Sequence, residues 1–489
     1  MEATPGGFLM VLMLVVPVTG LLFGFALGGR APERIALWLM PVGLAMAVVL
    51  LAGLLHARAP VVAFVGGWAP PLGLALRADG LAAAMLLTTA LIIAAIALFA
   101  RADYHTPPGA PEARAPLAFW CFLLALWAAL NAAFLGGDLF NLFVALEMLT
   151  FGALALACLD GKATQFKAEL RYLLFALIGS VLYLLGTALF YGAYGTLDIL
   201  LLAGMARADA PTIVAASLMT VGLLGKMALF PLHLWLPAAH AGAPPAASAL
   251  LSGLVVKASY LLLLRLWFWV MPAALLLAVA PILAGLGAAA ILFGSLVALR
   301  QARLKLLVAY STVAQIGYLF LMFPLVAGSA ANIAAGAWTG GALQAISHAF
   351  AKAAMFLAAG IIARALGHDR IAELQGAARV APLSVLAFGL AGLSLMGIPP
   401  SGGFTAKWLL LQAALDSGQW WWALVIVAGG LLTGGYVFRV LSAALQPSTL
   451  PLLAPVDPVQ ERVALGLAVI SVLLGLLPLG AFGLVLIGR

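Results

Sequence analysis

Apolar runs of about twenty residues alternate along the whole chain with short segments that carry charge, glycine and proline. A run of about that length crosses the hydrocarbon of a bilayer as a helix. Cutting the chain at its charged and Gly/Pro-rich segments predicts about fourteen such helices. Their centres lie near Leu14, Ala45, Thr89, Ala125, Ala145, Ser180, Met219, Gly253, Gly285, Val313, Ala345, Leu393, Val427 and Val472. The first run, Phe8 to Leu27, lacks a preceding basic segment and exceeds the apolar core of a signal peptide, so it is expected to remain as a membrane helix. His56–Asp79 and Arg101–Pro116 are the longest connections, and no soluble head domain is expected. The fold class that follows is an all-α polytopic membrane protein.

Composition agrees with this reading and narrows the function. The 489 residues are 65% hydrophobic and 8% charged, with a mean hydropathy of +1.18, where soluble domains run at about 45–50% and about 25%. A soluble enzyme, a nucleic-acid binder, a disordered tail and a disulfide scaffold are all excluded. Cys121 and Cys158 lie in separate apolar runs without a CxxC or a Cys/His cluster, so no metal site, redox couple or cofactor is expected.

The net charge of +8 is spread over short connections. With the N-terminus outside, the inner loops and helix ends carry Arg30, Arg34, Arg101, Arg114, Lys162, Lys167, Arg171, Arg300, Arg303, Lys305, Arg364, Arg370, Arg379, Arg439 and Arg462. The outer side keeps Arg58, Arg77, Arg207, Arg265 and Arg489. Basic residues favour the inner side of cell membranes. An even number of crossings with both ends outside is therefore expected.

The chemistry lies in a few charged residues at membrane depth. Of the seven lysines, Lys226, Lys257, Lys352 and Lys407 fall inside or beside apolar helices. Each costs about 2.5–3.5 kcal/mol at a helix centre on insertion scales. Snorkelling relieves that cost only near a helix end, and Lys257 has mostly apolar neighbours until Arg265. Glu147 is the one acid in the middle of its run. A buried carboxylate seeks a cationic partner, and separating such a pair removes what holds its lysine charged. That is a switch for proton release; a static salt bridge is the alternative. Gln344, His348 and Lys352 recur at i, i+4 and i+8, a polar stripe on one helix face beside Ser347. His233 and His240 flank a helix break, where a neutral-pH titrating group either relays protons or only packs.

Two stretches resemble each other in kind. Pro211–His240 carries Lys226 and is broken at Pro231 and Pro237. Val380–Leu415 is broken at Gly397-Ile-Pro-Pro-Ser-Gly-Gly, which includes Pro399 and Pro400, with Lys407 just beyond. Paired broken helices point to an inverted-repeat transporter whose path lies near the midplane. Protons or small cations are the expected cargo, since an organic solute calls for more polar and aromatic lining. Asp138 and Asn141 are the nearest sodium candidates, and a helix cap explains them equally well.

Several motifs resemble one family. Gly137-Asp-Leu-Phe-Asn-Leu-Phe followed by Glu147 resembles the fifth helix of the antiporter-like subunits. Gly225-Lys-Met-Ala-Leu-Phe-Pro-Leu-His-Leu-Trp-Leu-Pro, then His240, Ala243-Pro-Pro-Ala and Lys257, resembles their seventh and eighth. Tyr310-Ser-Thr-Val-Ala-Gln-Ile-Gly-Tyr, Ser347-His-Ala-Phe-Ala-Lys and Met396-Gly-Ile-Pro-Pro-Ser-Gly-Gly-Phe with Lys407 complete the set, across about residues 137–410. The family includes the MrpD protein of Mrp-type sodium/proton antiporters, proton-pumping subunits 2, 4 and 5 of NADH dehydrogenase, and membrane-bound hydrogenase subunits. The resemblance implies fourteen helices with two inverted five-helix repeats. It implies the units 1–115, 116–270, 271–446 and 447–489, the last a C-terminal helix. It also implies a proton path through Glu147, Lys226, Lys257, His348, Lys352 and Lys407, with His233, His240 and Gln344 as further relay candidates.

Within the family the chain is most similar to the MrpD type. Its length fits, it ends soon after its last expected helix, and it has no long lateral helix like that of NADH dehydrogenase subunit 5. One departure is Gly242-Ala-Pro-Pro-Ala-Ala, where the MrpD type resembles Ser-Ala-Pro-Pro-Ala-Pro. The expected role is a proton-translocating component, not itself an enzyme, of an inner-membrane antiporter with small Mrp subunits, an MrpA homologue and Na+ as cargo. The alternative is a pump component of a redox-driven complex. A stand-alone solute carrier or a lipid-embedded scaffold fits poorly, because neither accounts for four costly lysines.

Overall fold

A computed structural model of the chain describes residues 3–107, 109–161, 163–447 and 455–489. Lys162, assigned above to an inner loop, lies outside the described residues, as do residues 448–454 of the expected C-terminal unit. The chain opens with α1 (Phe8–Leu27) and α2 (Ala31–Ala57), the strands β1 (Val61–Val65) and β2 (Leu74–Ala78), then α3 (Gly80–Ala100), α4 (Arg114–Leu135), α5 (Leu139–Ala157) and α6 (Ala163–Tyr194). It continues through α7 (Ile199–Met205), α8 (Ala210–Lys226), α9 (Trp235–Gly242), α10 (Pro245–Leu250) and α11 (Val256–Arg265). The remaining helices are α12 (Ala273–Arg300), α13 (Leu304–Val326), α14 (Ala331–Leu366), α15 (Ala377–Val380), α16 (Pro382–Met396), α17 (Gly402–Asp416), α18 (Trp420–Ala444) and α19 (Pro458–Leu473).

Twelve helical stretches among the described residues are long and apolar enough to cross a membrane. The two further expected segments, around Met219 and Leu393, are the shorter helices α8 and α16, each ending at a break. Six of the described helices start where a side chain accepts from otherwise unpaired backbone N–H groups. Asp79 caps α3, Asp138 α5, Asp198 α7, Asp209 α8, Ser401 α17 and Asp457 α19.

The fold is mostly helical, as expected, and among the described residues one connection adds a two-stranded sheet. His56–Asp79 contains an antiparallel hairpin, with Val61 opposite Ala78 and Val65 opposite Leu74. Short alternating segments around a Gly/Pro turn read as loop in a chain dominated by long apolar runs, yet β1 buries Val61 and Ala63 beneath them. This hairpin gathers both chain ends. Thr4 N donates to Val62 O at 2.9 Å and Gly80 N to Ile487 O at 2.9 Å, while Arg77 Nη2 donates to Gly488 O at 2.7 Å. Both ends thus lie on one face, as an even number of crossings requires. The opposite face is tied by Arg303–Asp369 at 2.9 Å, Arg364–Asp103 at 2.6 Å and Arg101–Glu33 at 3.5 Å.

Burial separates helices that are equally apolar in sequence. An apolar stretch of 18 residues within Pro245–Val270 is entirely buried, whereas the corresponding stretch of α1 is 28% buried. Large apolar side chains such as Trp38, Leu431 and Phe438 cover the outer surface. The lysine-bearing interior is therefore enclosed by a lipid-facing shell. Glycine allows the closest helix contacts: a Cβ on Gly222 would lie 2.3 Å from Gly179 O, between α8 and α6.

Candidate functional site

Lys226 is the last residue of α8, so the break that follows presents its amine to α5 and α6. Its Nζ lies 2.9 Å from Glu147 Oε1 and donates to Thr150 Oγ1 at 3.1 Å, one turn further along α5. Ser180 of α6 donates a second bond to Glu147 Oε1. The carboxylate and the amine are thus each held by a hydroxyl as well as by one another. A cavity of about 10 Å³ beside Lys226 is lined by Thr150, Val255 and Ser259, close to the least volume that holds one water, about 10–15 Å³. It joins the ion pair to the helix that bears Lys257.

Lys257 is fully buried. One turn of π-helix, Leu251–Val255, precedes α11. Such a turn displaces the usual bonding pattern, and Lys257 Nζ donates to Ser252 O, five residues back. Ser252 Oγ meets Thr312 Oγ1 of α13 at 2.9 Å.

The stripe on α14 faces α13. Lys352 Nζ donates to Val308 O at 2.9 Å and to Ser311 Oγ. Gln344 Nε2 donates to Gln315 Oε1 at 3.1 Å. His348 lies between them, 1% exposed, and neither ring nitrogen has a hydrogen-bond partner among the described residues. It stands within electrostatic range of Lys257, Lys352 and Lys407. Gln315 Nε2 in turn donates to Leu395 O at 3.0 Å, in the last turn of α16, and Lys407 Nζ donates to that same carbonyl. Lys407 also sits 4.3 Å from the centre of the Tyr318 ring.

The histidines at the first break separate. His240 is fully buried, stacks on Phe356 of α14 at 4.5 Å and lies within electrostatic range of Lys257, Lys305 and Lys352. His233 is packed against Phe230, Phe293 and Tyr310, with ring centres at 5.5, 5.1 and 6.4 Å, and its Nδ1 has no hydrogen-bond partner among the described residues. Pro231 falls in the turns between α8 and α9, and Pro237 inside α9; Gly397, Pro399 and Pro400 separate α16 from α17. Asp138 Oδ1 accepts from Phe140 N at 2.9 Å and Asn141 N at 3.0 Å, which makes Asp138 the N-cap of α5.

Reading the sequence for charge passed over the hydroxyls and amides that connect the row: Thr150, Ser180, Ser252, Ser311, Thr312 and Gln315. Their signal was a three-to-four-residue spacing within apolar helices, which identifies a face without naming its partner.

Residues 136–433, more than half of the chain and all of this row, match the model of the NADH:quinone oxidoreductase/Mrp antiporter transmembrane family. The chain belongs to that family. Its relatives there include NADH-quinone oxidoreductase subunit N of Desulforudis audaxviator, 36% identical over 91% of this chain and 88% of the relative. Another is the D component of the Na+/H+ antiporter of Alkalihalophilus pseudofirmus, 31% identical over 82% of this chain and 79% of the relative. Among solved structures of the family, a chain of the Mrp complex from Dietzia sp. DQ12-45-1b superposes with a TM-score of 0.89 at 27% identity, covering 98% of this chain and 96% of that one. The family's transmembrane unit contains both breaks and every lysine of the row.

Proposed function

We propose that the chain is the proton-translocating membrane subunit of a multisubunit Na+/H+ antiporter of the Mrp type. The observation that carries this reading is the row itself: four buried lysines, one paired with Glu147, joined by hydroxyls, amides and a carbonyl through the interior of a membrane-spanning bundle. A static scaffold gains nothing from such groups, since each is costly to bury. The likeness to the D component of Na+/H+ antiporters and to the Mrp complex adds the setting. Protons step between amines as Glu147 alternately holds and releases Lys226, with Lys257, His348, Lys352 and Lys407 as successive sites. Partner subunits supply the rest of the antiporter, with the basic face turned inward at the cell membrane. The units 116–270 and 271–446 act as repeats, each with a broken helix as its fourth membrane segment.

A second reading keeps the path and changes its drive. The likeness to NADH-quinone oxidoreductase subunit N favours a redox-driven complex in which electron transfer in partner subunits moves the protons. Purifying the chain from its native membrane separates the two. Small membrane subunits without iron or flavin support the antiporter; iron–sulfur or flavin partners support the redox complex. Lys226→Ala is expected to abolish cation/proton antiport in inverted vesicles while the complex still assembles. Normal antiport in an assembled Lys226→Ala complex would refute both readings of the path.

A further inference from the structure

Glu169 of α6 takes no part in the row described above. Its carboxyl is 1% exposed, and neither oxygen has a hydrogen-bond partner among the described residues. A carboxylate so enclosed is stable only with a proton or a cation on it. We propose that Glu169 is the group through which protons pass between a cavity on the basic face and His240, at the edge of the buried lysine row. The inference rests on the proton-translocating reading above.

Two contacts fix where Glu169 points. Four residues before it, Gln165 Nε2 donates to Gly242 O of α9 at 2.5 Å. Three residues after it, Tyr172 stacks on Trp235, the first residue of α9, at 4.4 Å. Residues three and four apart share a helix face, so Glu169 faces α9 between these contacts. The two helices run antiparallel there, which sets Glu169 level with Ala238 and Ala239. Both are alanines, so no bulky side chain of α9 intervenes. His240 follows directly, with both ring nitrogens unpartnered among the described residues and its ring on Phe356, one turn from Lys352.

A cavity opens close to Glu169, though Glu169 itself does not line it. This cavity, of about 440 Å³ at the basic face, is lined by Gln165 and Ala168 of α6, Ala238 and Ala241 of α9, Lys305 and His368. It therefore reaches residues beside Glu169 on both helices. At about 30 Å³ of liquid per water, it has room for several. A proton from cavity water binds a Glu169 oxygen and passes, through a water beside Ala238 and Ala239, to one nitrogen of His240. The imidazolium gives up the proton on its other nitrogen to an unprotonated lysine, and Glu169 is ready to load again. A neutral imidazole has one donor and one acceptor nitrogen, which suits it to this transfer.

The test uses the whole complex in inverted membrane vesicles, comparing Glu169→Gln, Glu169→Asp and Lys226→Ala with the parent. Glu169→Gln keeps the shape and cannot carry the proton, so antiport is expected to fall about a hundredfold with assembly unchanged. Glu169→Asp is expected to restore most of it. Infrared difference spectra across a pH step are expected to contain a carboxyl band that Glu169→Gln removes and Glu169→Asp shifts. Parental antiport in Glu169→Gln overturns the proposal, and so does the lack of any band that responds to substitution at Glu169. If Lys226→Ala is inactive while Glu169→Gln is normal, this inference alone fails. If Lys226→Ala is itself normal, the proton-translocating reading fails with it.

Discussion

Lys226 meets Glu147 and Thr150 at the end of α8, so it has one charged partner and one neutral one. That arrangement separates holding a charge from releasing a proton. Lys226→Arg retains a cation beside Glu147, but a guanidinium does not give up its proton in proteins. The expected outcome is normal assembly on native gels with antiport lost, which tells proton release from a purely structural bridge. Glu147→Gln leaves the amine with Thr150 and without a counter-charge. Removing one partner of a buried pair costs about 3–5 kcal/mol while the other stays charged, so thermal unfolding in detergent is expected at lower temperature. The lysines and Glu147 were legible in the sequence because ionisable groups are rare at membrane depth. The hydroxyls were not, because a serine or threonine in a helix also bonds its own backbone. Ser311 and Thr312 both donate to Val308 O here while also serving the row. His233 and His240 read alike in sequence; only the rings around each tell them apart.

The two helix breaks and the π-turn are the elements that aim the lysines. Gly397 sits at φ +83°, and a Cβ there would come within 2.8 Å of Lys407 Cδ. Gly397→Ala is therefore expected to cost about 1–2 kcal/mol for the left-handed backbone alone and to displace Lys407. A lower melting temperature together with reduced antiport checks this. At Gly222 the neighbour is the backbone oxygen of Gly179, 2.3 Å from the added Cβ, which cannot swing aside as a side chain does. Gly222→Leu is expected to part α6 from α8, pulling Ser180 and Lys226 away from their shared carboxylate, with transport lost. Proline and glycine made the breaks visible in the sequence. The π-turn at Leu251–Val255 carries no such punctuation, since it arises from how α10 and α11 fit among their neighbours. The hairpin was hidden for a related reason, its strands being too short to register beside runs four times their length.

For the whole molecule, the hairpin and both chain ends share one face, and the ion pairs of Arg303, Arg364 and Arg101 share the other. Sidedness is tested by labelling in intact cells after Cys121→Ala and Cys158→Ala remove the native thiols. With the basic face inward, Trp68→Cys, on the exposed hairpin turn, is expected to react with an impermeant maleimide from outside. Ala372→Cys, exposed on the opposite face, is expected to react only after permeabilisation. The reverse pattern would invert the assigned orientation. The sequence by itself determined the membrane setting, the helices, the two breaks and the costly charges, because apolar length, proline and buried charge act locally or through the solvent. Only the tertiary structure decided which apolar helices face lipid and which enclose the lysines, that Thr150 and Ser180 hold the Glu147–Lys226 pair, that Leu395 O joins Gln315 to Lys407, and that Glu169 stands without a hydrogen-bond partner among the described residues. Those outcomes depend on which surfaces meet across tens to hundreds of residues, and a helix's own period identifies a face without identifying its neighbour.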